Sequence, residues 1–114
     1  MPHIKLEYTD ISDGDKLNKL YSDLIDLLIR NTTIKNENCK FKSINIPLNP
    51  INVSHFAHLE ILFLEGRTNH TKKIIGEKCI QILKNNLLDL NEKKQFSIEI
   101  RETNFNNYFT TNKI

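Results

Sequence analysis

The sequence predicts an α+β domain built from two β-α-β units, which form a four-stranded sheet with two helices on one face. Three observations lead there. Short stretches alternate apolar and polar residues, as a half-buried strand does, and longer stretches repeat apolar residues at helical spacing. The two kinds follow one another in the order β-α-β, then β-α-β again. The halves also echo each other, since Pro2-His3-Ile4-Lys5-Leu6 matches Ala57-His58-Leu59-Glu60-Ile61 at an offset of 55 residues. A chain of 114 residues fits one domain over 1–114, with pseudo-repeats at 2–46 and 57–101.

Each element has its own signal. In residues 2–8, Ile4, Leu6 and Tyr8 share one face of a strand while His3, Lys5 and Glu7 share the other. Thr9 to Asp15 is turn chemistry that can cap a helix. From Lys16 to Arg30 the residues Leu17, Leu20, Tyr21, Leu24, Leu27 and Leu28 make one apolar stripe, and polar residues from Asn31 to Asn38 close that helix. Cys39 to Ile46 reads as a second strand, with a loop bounded by Pro47 and Pro50 after it. Phe56 to Leu64 is a strongly apolar strand, and Gly66-Arg67-Thr68 a turn in which Thr68 is the expected N-cap. Ile75, Cys79, Ile82 and Leu83 give the stripe of a helix reaching about Leu90. Phe96, Ile98 and Ile100 alternate with Ser97, Glu99 and Arg101 in the last strand. The Asn- and Thr-rich segment from Glu102 to Ile114 is expected to have a loosely held end.

Right-handed crossovers in both units put the helices on the same side of the sheet. The face they leave uncovered would carry His3, Lys5, Glu7, Lys40 and Lys42, then His58, Glu60, Ser97, Glu99 and Arg101. So polar a face suits water, or the wet central channel of a ring-shaped oligomer joined by sheet edges.

Composition narrows the function. Net charge is +2, with 16 Lys and Arg against 14 Asp and Glu, and the charges are interspersed. No basic block tracks a phosphate backbone, so nucleic acid is not an expected partner. Cys39, in a strand pattern, and Cys79, on a helical stripe, are too few for a disulfide framework and read as small buried residues. No apolar run approaches the roughly 18 residues of a membrane span, and the start of the chain lacks a signal-peptide pattern, so a cytoplasmic protein is expected.

Pro2 is the most informative residue. Removal of Met1 ahead of a small residue would leave a terminal secondary amine, fixed in place because a strand begins at once. An α-amino group ordinarily titrates at about 7.7–8.0, and burial beside cations lowers it, leaving a free base suited to proton transfer. Arg67 lies between a strand end and a helix start, where an anion is already favoured and a guanidinium can take a carboxylate in a forked pair. Lys40 and Lys42 project to one face of their strand and can hold an acidic substrate or simply meet water. His3 and His58 occupy equivalent places in the two halves, which suggests a shared structural role. His55 and His70 read as loop and first-turn residues. No histidine shows a zinc spacing, no glycine-rich phosphate loop or nucleophile elbow is present, and neither metal nor cofactor is implied.

Three stretches in order carry a resemblance: Pro2-His3-Ile4 with Leu6-Glu7-Tyr8, Phe56-Ala57-His58-Leu59 running to Gly66-Arg67, and Ser97-Ile98-Glu99-Ile100-Arg101-Glu102. The chain resembles the 5-carboxymethyl-2-hydroxymuconate isomerases of the tautomerase superfamily, which also holds 4-oxalocrotonate tautomerase and macrophage migration inhibitory factor. The resemblance implies a tautomerase-like homotrimer and a cofactor-free reaction on a small enol or keto acid of aromatic-compound catabolism. Pro2 would be base and then acid, Arg67 would polarise a carboxylate or carbonyl oxygen, and Lys40 and Lys42 would hold substrate. Lysines stand where such proteins tend to carry arginines, and lysine is a point charge without the fork. The alternative is a tautomerase-like trimer that only binds or builds.

Overall fold

The computed structural model describes residues 1–9, 14–47, 55–87 and 94–111. Strand β1 (His3–Tyr8) leads to helix α1 (Gly14–Asn31), and a single 3-10 turn (Asn36–Asn38) precedes strand β2 (Lys40–Asn45). Strand β3 (His55–Leu64), helix α2 (Asn69–Leu87) and strand β4 (Lys94–Thr103) repeat the pattern, and a second 3-10 turn follows at Phe105–Asn107. Residues 10–13 of the expected capping turn, the end of the loop at Pro50 and the last turn toward Leu90 lie outside the described residues. Among the described residues no helix is long and apolar enough to cross a membrane.

The sheet order is β2-β1-β3-β4, with β1 parallel to β2, β3 parallel to β4, and the two units joined by the antiparallel pair β1 and β3. Alternation along β1 buries Ile4, Leu6 and Tyr8, and along β3 it buries Ala57, Leu59, Ile61 and Phe63. These meet Leu20, Leu24 and Leu28 of α1 and Ile75, Cys79 and Leu83 of α2 in one core. Both helical stripes therefore sit on the same side of the sheet. Tyr21 and Phe41, with ring centroids 4.6 Å apart, fasten the edge strand β2 to α1.

The opposite face is the polar one that alternation predicts. Lys5 reaches Glu7 at 3.8 Å and Glu60 at 3.9 Å, and Arg101 reaches Glu60 at 3.8 Å. Such solvated pairs contribute about 0–1 kcal/mol each, so they set register and solubility more than stability. His58 Nδ1 lies 2.6 Å from the Ser97 hydroxyl, tying β3 to β4 on this face.

Two small corrections concern single residues. Cys39 stands just before β2 as the C-cap of the 3-10 turn, half-buried, because its N–H is used by Asn36 O at 3.1 Å. Cys79 is fully buried as expected, and burial pushes its thiol up to about 12. His55 opens β3 instead of lying in a loop, since its Nδ1 sits 3.2 Å from the buried Thr9 hydroxyl.

The turn from β3 into α2 is built by side chains. Thr68 caps α2, its Oγ1 accepting from the Thr71 N–H at 3.1 Å. Gly66 has φ +120°, a conformation that side-chain-bearing residues rarely adopt. Glu102 on β4 accepts from the Gly66 N–H at 3.1 Å and from Lys72 Nζ at 2.6 Å. The Lys72 hydrogen bond leads the causes that hold the Glu102 carboxyl below the ordinary carboxylate range, helped by the backbone N–H groups of the turn.

Two outcomes follow from this packing. Leu59→Ala opens a cavity under a central strand and should cost about 2–5 kcal/mol, read from the urea midpoint. Because the folded Glu102 carboxyl titrates below its unfolded value of about 4.3, its contribution is complete above that pH and is lost as pH falls through the folded value. Acid unfolding followed by circular dichroism should therefore be less steep below about pH 4.3 in Glu102→Gln than in the parent chain.

Candidate active site

The start of β1 lies in the middle of the sheet, not at an edge, and this fixes where Pro2 stands. Lys40 N–H donates to Pro2 O at 3.1 Å, so pairing with β2 already holds the second residue of the chain. On the other side His3 pairs with Leu62, and continuing that antiparallel register sets Pro2 opposite Phe63. Pro2 is fully buried on the helix side of the sheet. Burial pushes the amine of Met1, one residue out, below its ordinary value; Lys40 lowers it further and Cys39 opposes the shift. A basic nitrogen at this place is desolvated and faces a cation, the two influences that favour a free base.

Arg67 is at the same end, three residues past β3. Its guanidinium carbon lies 4.3 Å over the ring of Phe63, and Nη1 donates to Leu64 O at 3.1 Å. Burial lowers its pKa, with Glu102 pulling the other way. Nε is buried and has no hydrogen-bond partner among the described residues. The side chain is thus folded back onto the wall that faces Pro2, with one donor unsatisfied, instead of forking into open solvent. A cleft of about 370 Å³ borders it, lined by Asn31, Thr32, Thr33, Glu65, Gly66, Thr68 and Thr71.

The lysines do not gather around one point. Lys40 pairs with His3 and Lys42 with Lys5, so both project to the uncovered face, opposite to the side on which Pro2 is buried. Lys40 still acts on the terminal amine, as the depressed value at Met1 records, whereas Lys42 acts on His3. Among the described residues no contact joins either lysine to Arg67. Arg67 packs on Phe63, which the register sets opposite Pro2; Lys40 pairs beside residue 2 and Lys42 stands a row away.

One participant was not singled out by sequence. Tyr108, in the segment after β4, comes back across the sheet and its hydroxyl meets His3 Nε2 at 2.9 Å. The rings are edge to face, 5.9 Å apart at 64°. His3 is pushed below its ordinary value by burial, then by Lys42, the terminal amine and Lys40. The segment after β4 is thus tied down at Tyr108, while the end expected to be loosely held, residues 112–114, lies outside the described ones. Three aromatic residues in a stretch otherwise rich in Asn and Thr, Phe105, Tyr108 and Phe109, are a signal that this segment packs, though not of where. Among the described residues no cluster of His, Cys, Asp or Glu is placed to hold a metal ion.

No protein-family model matches the chain, and no curated protein matches it in sequence. Solved structures do match in fold. Pt0534, inactivated by 2-oxo-3-pentynoate, superposes with a TM-score of 0.81 at 13% identity, covering 98% of this chain and 94% of that one. A wild-type fused 4-OT symmetric trimer gives 0.80 at 12% identity over 98% and 94%. A 5-carboxymethyl-2-hydroxymuconate isomerase from Deinococcus radiodurans R1 gives 0.71 at 20% identity over 96% and 88%. At such identities the likeness is one of fold, and the chain has a tautomerase-like α+β fold.

Proposed function

We propose that the chain is a cofactor-independent isomerase of the tautomerase superfamily, acting on a small unsaturated 2-hydroxy or 2-oxo (di)carboxylic acid. Its base is Pro2, freed as a secondary amine by removal of Met1. The observation that carries this is the setting of residue 2, buried at the start of a central strand, hydrogen bonded by Lys40, in a field that lowers the adjoining amine. Two of the fold's relatives add support: one is a 5-carboxymethyl-2-hydroxymuconate isomerase, and another is inactivated by a 2-oxo acid derivative. A homotrimer is proposed on the same footing, since a fused 4-OT of this fold is a symmetric trimer.

The chemistry is a proton shuttle. The free amine takes the enol O–H proton, the C–O bond becomes C=O, and the electron pair moves through the conjugated carbons. The protonated amine then returns a proton to the carbon at the far end, so atoms and charge balance without an oxidant or a metal. Arg67 stabilises negative charge developing on the substrate oxygen, provided its unsatisfied donor turns toward the substrate. Lys40 holds the amine unprotonated and attracts the substrate carboxylate. Lys42 belongs to the approach to the site.

A second reading, a trimer that only binds or builds, is favoured by the folded-back guanidinium of Arg67 and the outward lysines. The two are separated by the ketonisation rate of 2-hydroxymuconate or phenylenolpyruvate, measured on protein whose mass confirms loss of Met1. Pro2→Ala should lower that rate by about 10²–10⁴-fold with the fold intact, the usual worth of a positioned base. Equal rates would discard the proline mechanism, and no rate in either protein would favour the binding trimer. Arg67→Ala should raise KM and lower kcat, with kcat/KM falling by about 10- to 100-fold. If both constants stay at parent values, Arg67 is a wall residue only.

A further inference from the structure

We propose that Tyr108, acting through His3, is a positioning residue for the Pro2 amine. The role rests on Pro2 being the base, yet it is measurable apart from any activity.

Backbone pairing fixes the carbonyl of Pro2 but not the direction of its nitrogen, which lies upstream of the last ladder hydrogen bond. What remains to set that direction is the residue next to it. His3 projects to the uncovered face in a row with Lys40 on β2, Leu62 on β3 and Arg101 on β4. Lys5 on its own strand and Lys42 on β2 stand in the next row, and the terminal amine lowers the imidazole together with Lys42 and Lys40. Glu60, opposite Lys5 on β3, is occupied by Lys5 and Arg101. His3 is thus ringed by cations, and its hydrogen-bond partner is a neutral phenol brought from 105 residues away.

The segment that delivers the phenol is built for it. Asn104 accepts from the Asn106 N–H at 2.8 Å, and the Tyr108 N–H donates to Phe105 O at 3.3 Å, closing the 3-10 turn ahead of the ring. Tyr108 then lies edge to face on the imidazole, and His3 Nδ1 is left buried with no partner among the described residues. A ring so held fixes the side chain of His3, one peptide bond from that nitrogen. Cutting the bond loosens residue 3, hydrates the amine and lets its pKa climb toward the ordinary value of about 7.7–8.0.

The test is a ¹⁵N titration of the Pro2 amine in Met1-processed protein, beside the pH profile of kcat/KM. Tyr108→Phe should raise the amine midpoint by about half a unit or more, and move the acid limb of the profile by the same amount. The rate near neutral pH should fall about 3- to 10-fold with KM changed by less than about twofold. His3→Gln reaches the same bond from its other end and should give the same shift. The double variant should then add nothing beyond the larger single effect. An amine midpoint unchanged in both single variants, with native circular dichroism, overturns the proposal. A shifted midpoint in a protein whose Pro2→Ala form retains full activity leaves the positioning intact and removes the proline mechanism instead.

Discussion

The antiparallel pairing of β1 with β3 is the constraint from which the rest follows. It joins the two β-α-β units, and it places the first strand of the chain in the centre of the sheet, flanked by β2 and β3. A strand at an edge can fray from its end, whereas one paired on both sides is ordered to its first residue. Here the ladder extends to Pro2 through the Lys40 N–H. The alternation that buries Ile4 and Leu6 then buries Pro2 as well, since residues two apart share a face. The place of residue 2 in the sheet and the burial of its ring both come from one register.

The same register divides the charges. On one side of the sheet the helices exclude water and no formal charge is buried among the strand residues. On the other, Lys5 of β1 meets Glu60 of β3, while Lys40 and Lys42 of β2 act on the terminal amine and on His3, so that the N-terminal end of β1 sees mainly cations. Lys40 is the member of this set that reaches the terminal amine, and it does so along the sheet, not through a shared pocket. A point charge suffices for such a through-space effect, because lowering an amine needs no forked geometry. A lysine at this position therefore sets the field as well as an arginine would.

Much of this was legible in the residues. Period-two alternation identified β1, β3 and β4 and the face each turns to the core, and the stripes of both helices were read correctly, because burial of one face is what forces those periods; β2, an edge strand with no fully buried residue, carries no such period. Thr68 was identifiable as an N-cap since its hydroxyl sits one place before a helical pattern. The orientation of Arg67 was not legible: a glycine-containing turn before a helix suggests an open anion site, and only the packed ring of Phe63 shows why the guanidinium lies down instead. Nor was the contact of Tyr108 with His3, which spans nearly the whole chain and obeys no local period. Lys40 and Lys42 could be assigned a common face, but the relation of that face to Pro2 needed the register between strands.

The pseudo-repeat explains why only one half carries the proposed chemistry. At the offset that matches the halves, Ala57 corresponds to Pro2 and His58 to His3. Both histidines are held by a hydroxyl on the uncovered face, His3 by Tyr108 and His58 by Ser97, so the second half keeps the structural device. It cannot keep the base. Ala57 lies inside β3, opposite Tyr8, and its nitrogen is an amide whose lone pair is delocalised into the peptide bond. Duplication reproduces the strand, the helix and the clamp, but a basic backbone nitrogen exists only where a chain begins. The asymmetry in the proposed chemistry is thus a matter of covalent structure at residue 2, imposed on two halves that fold by the same rules.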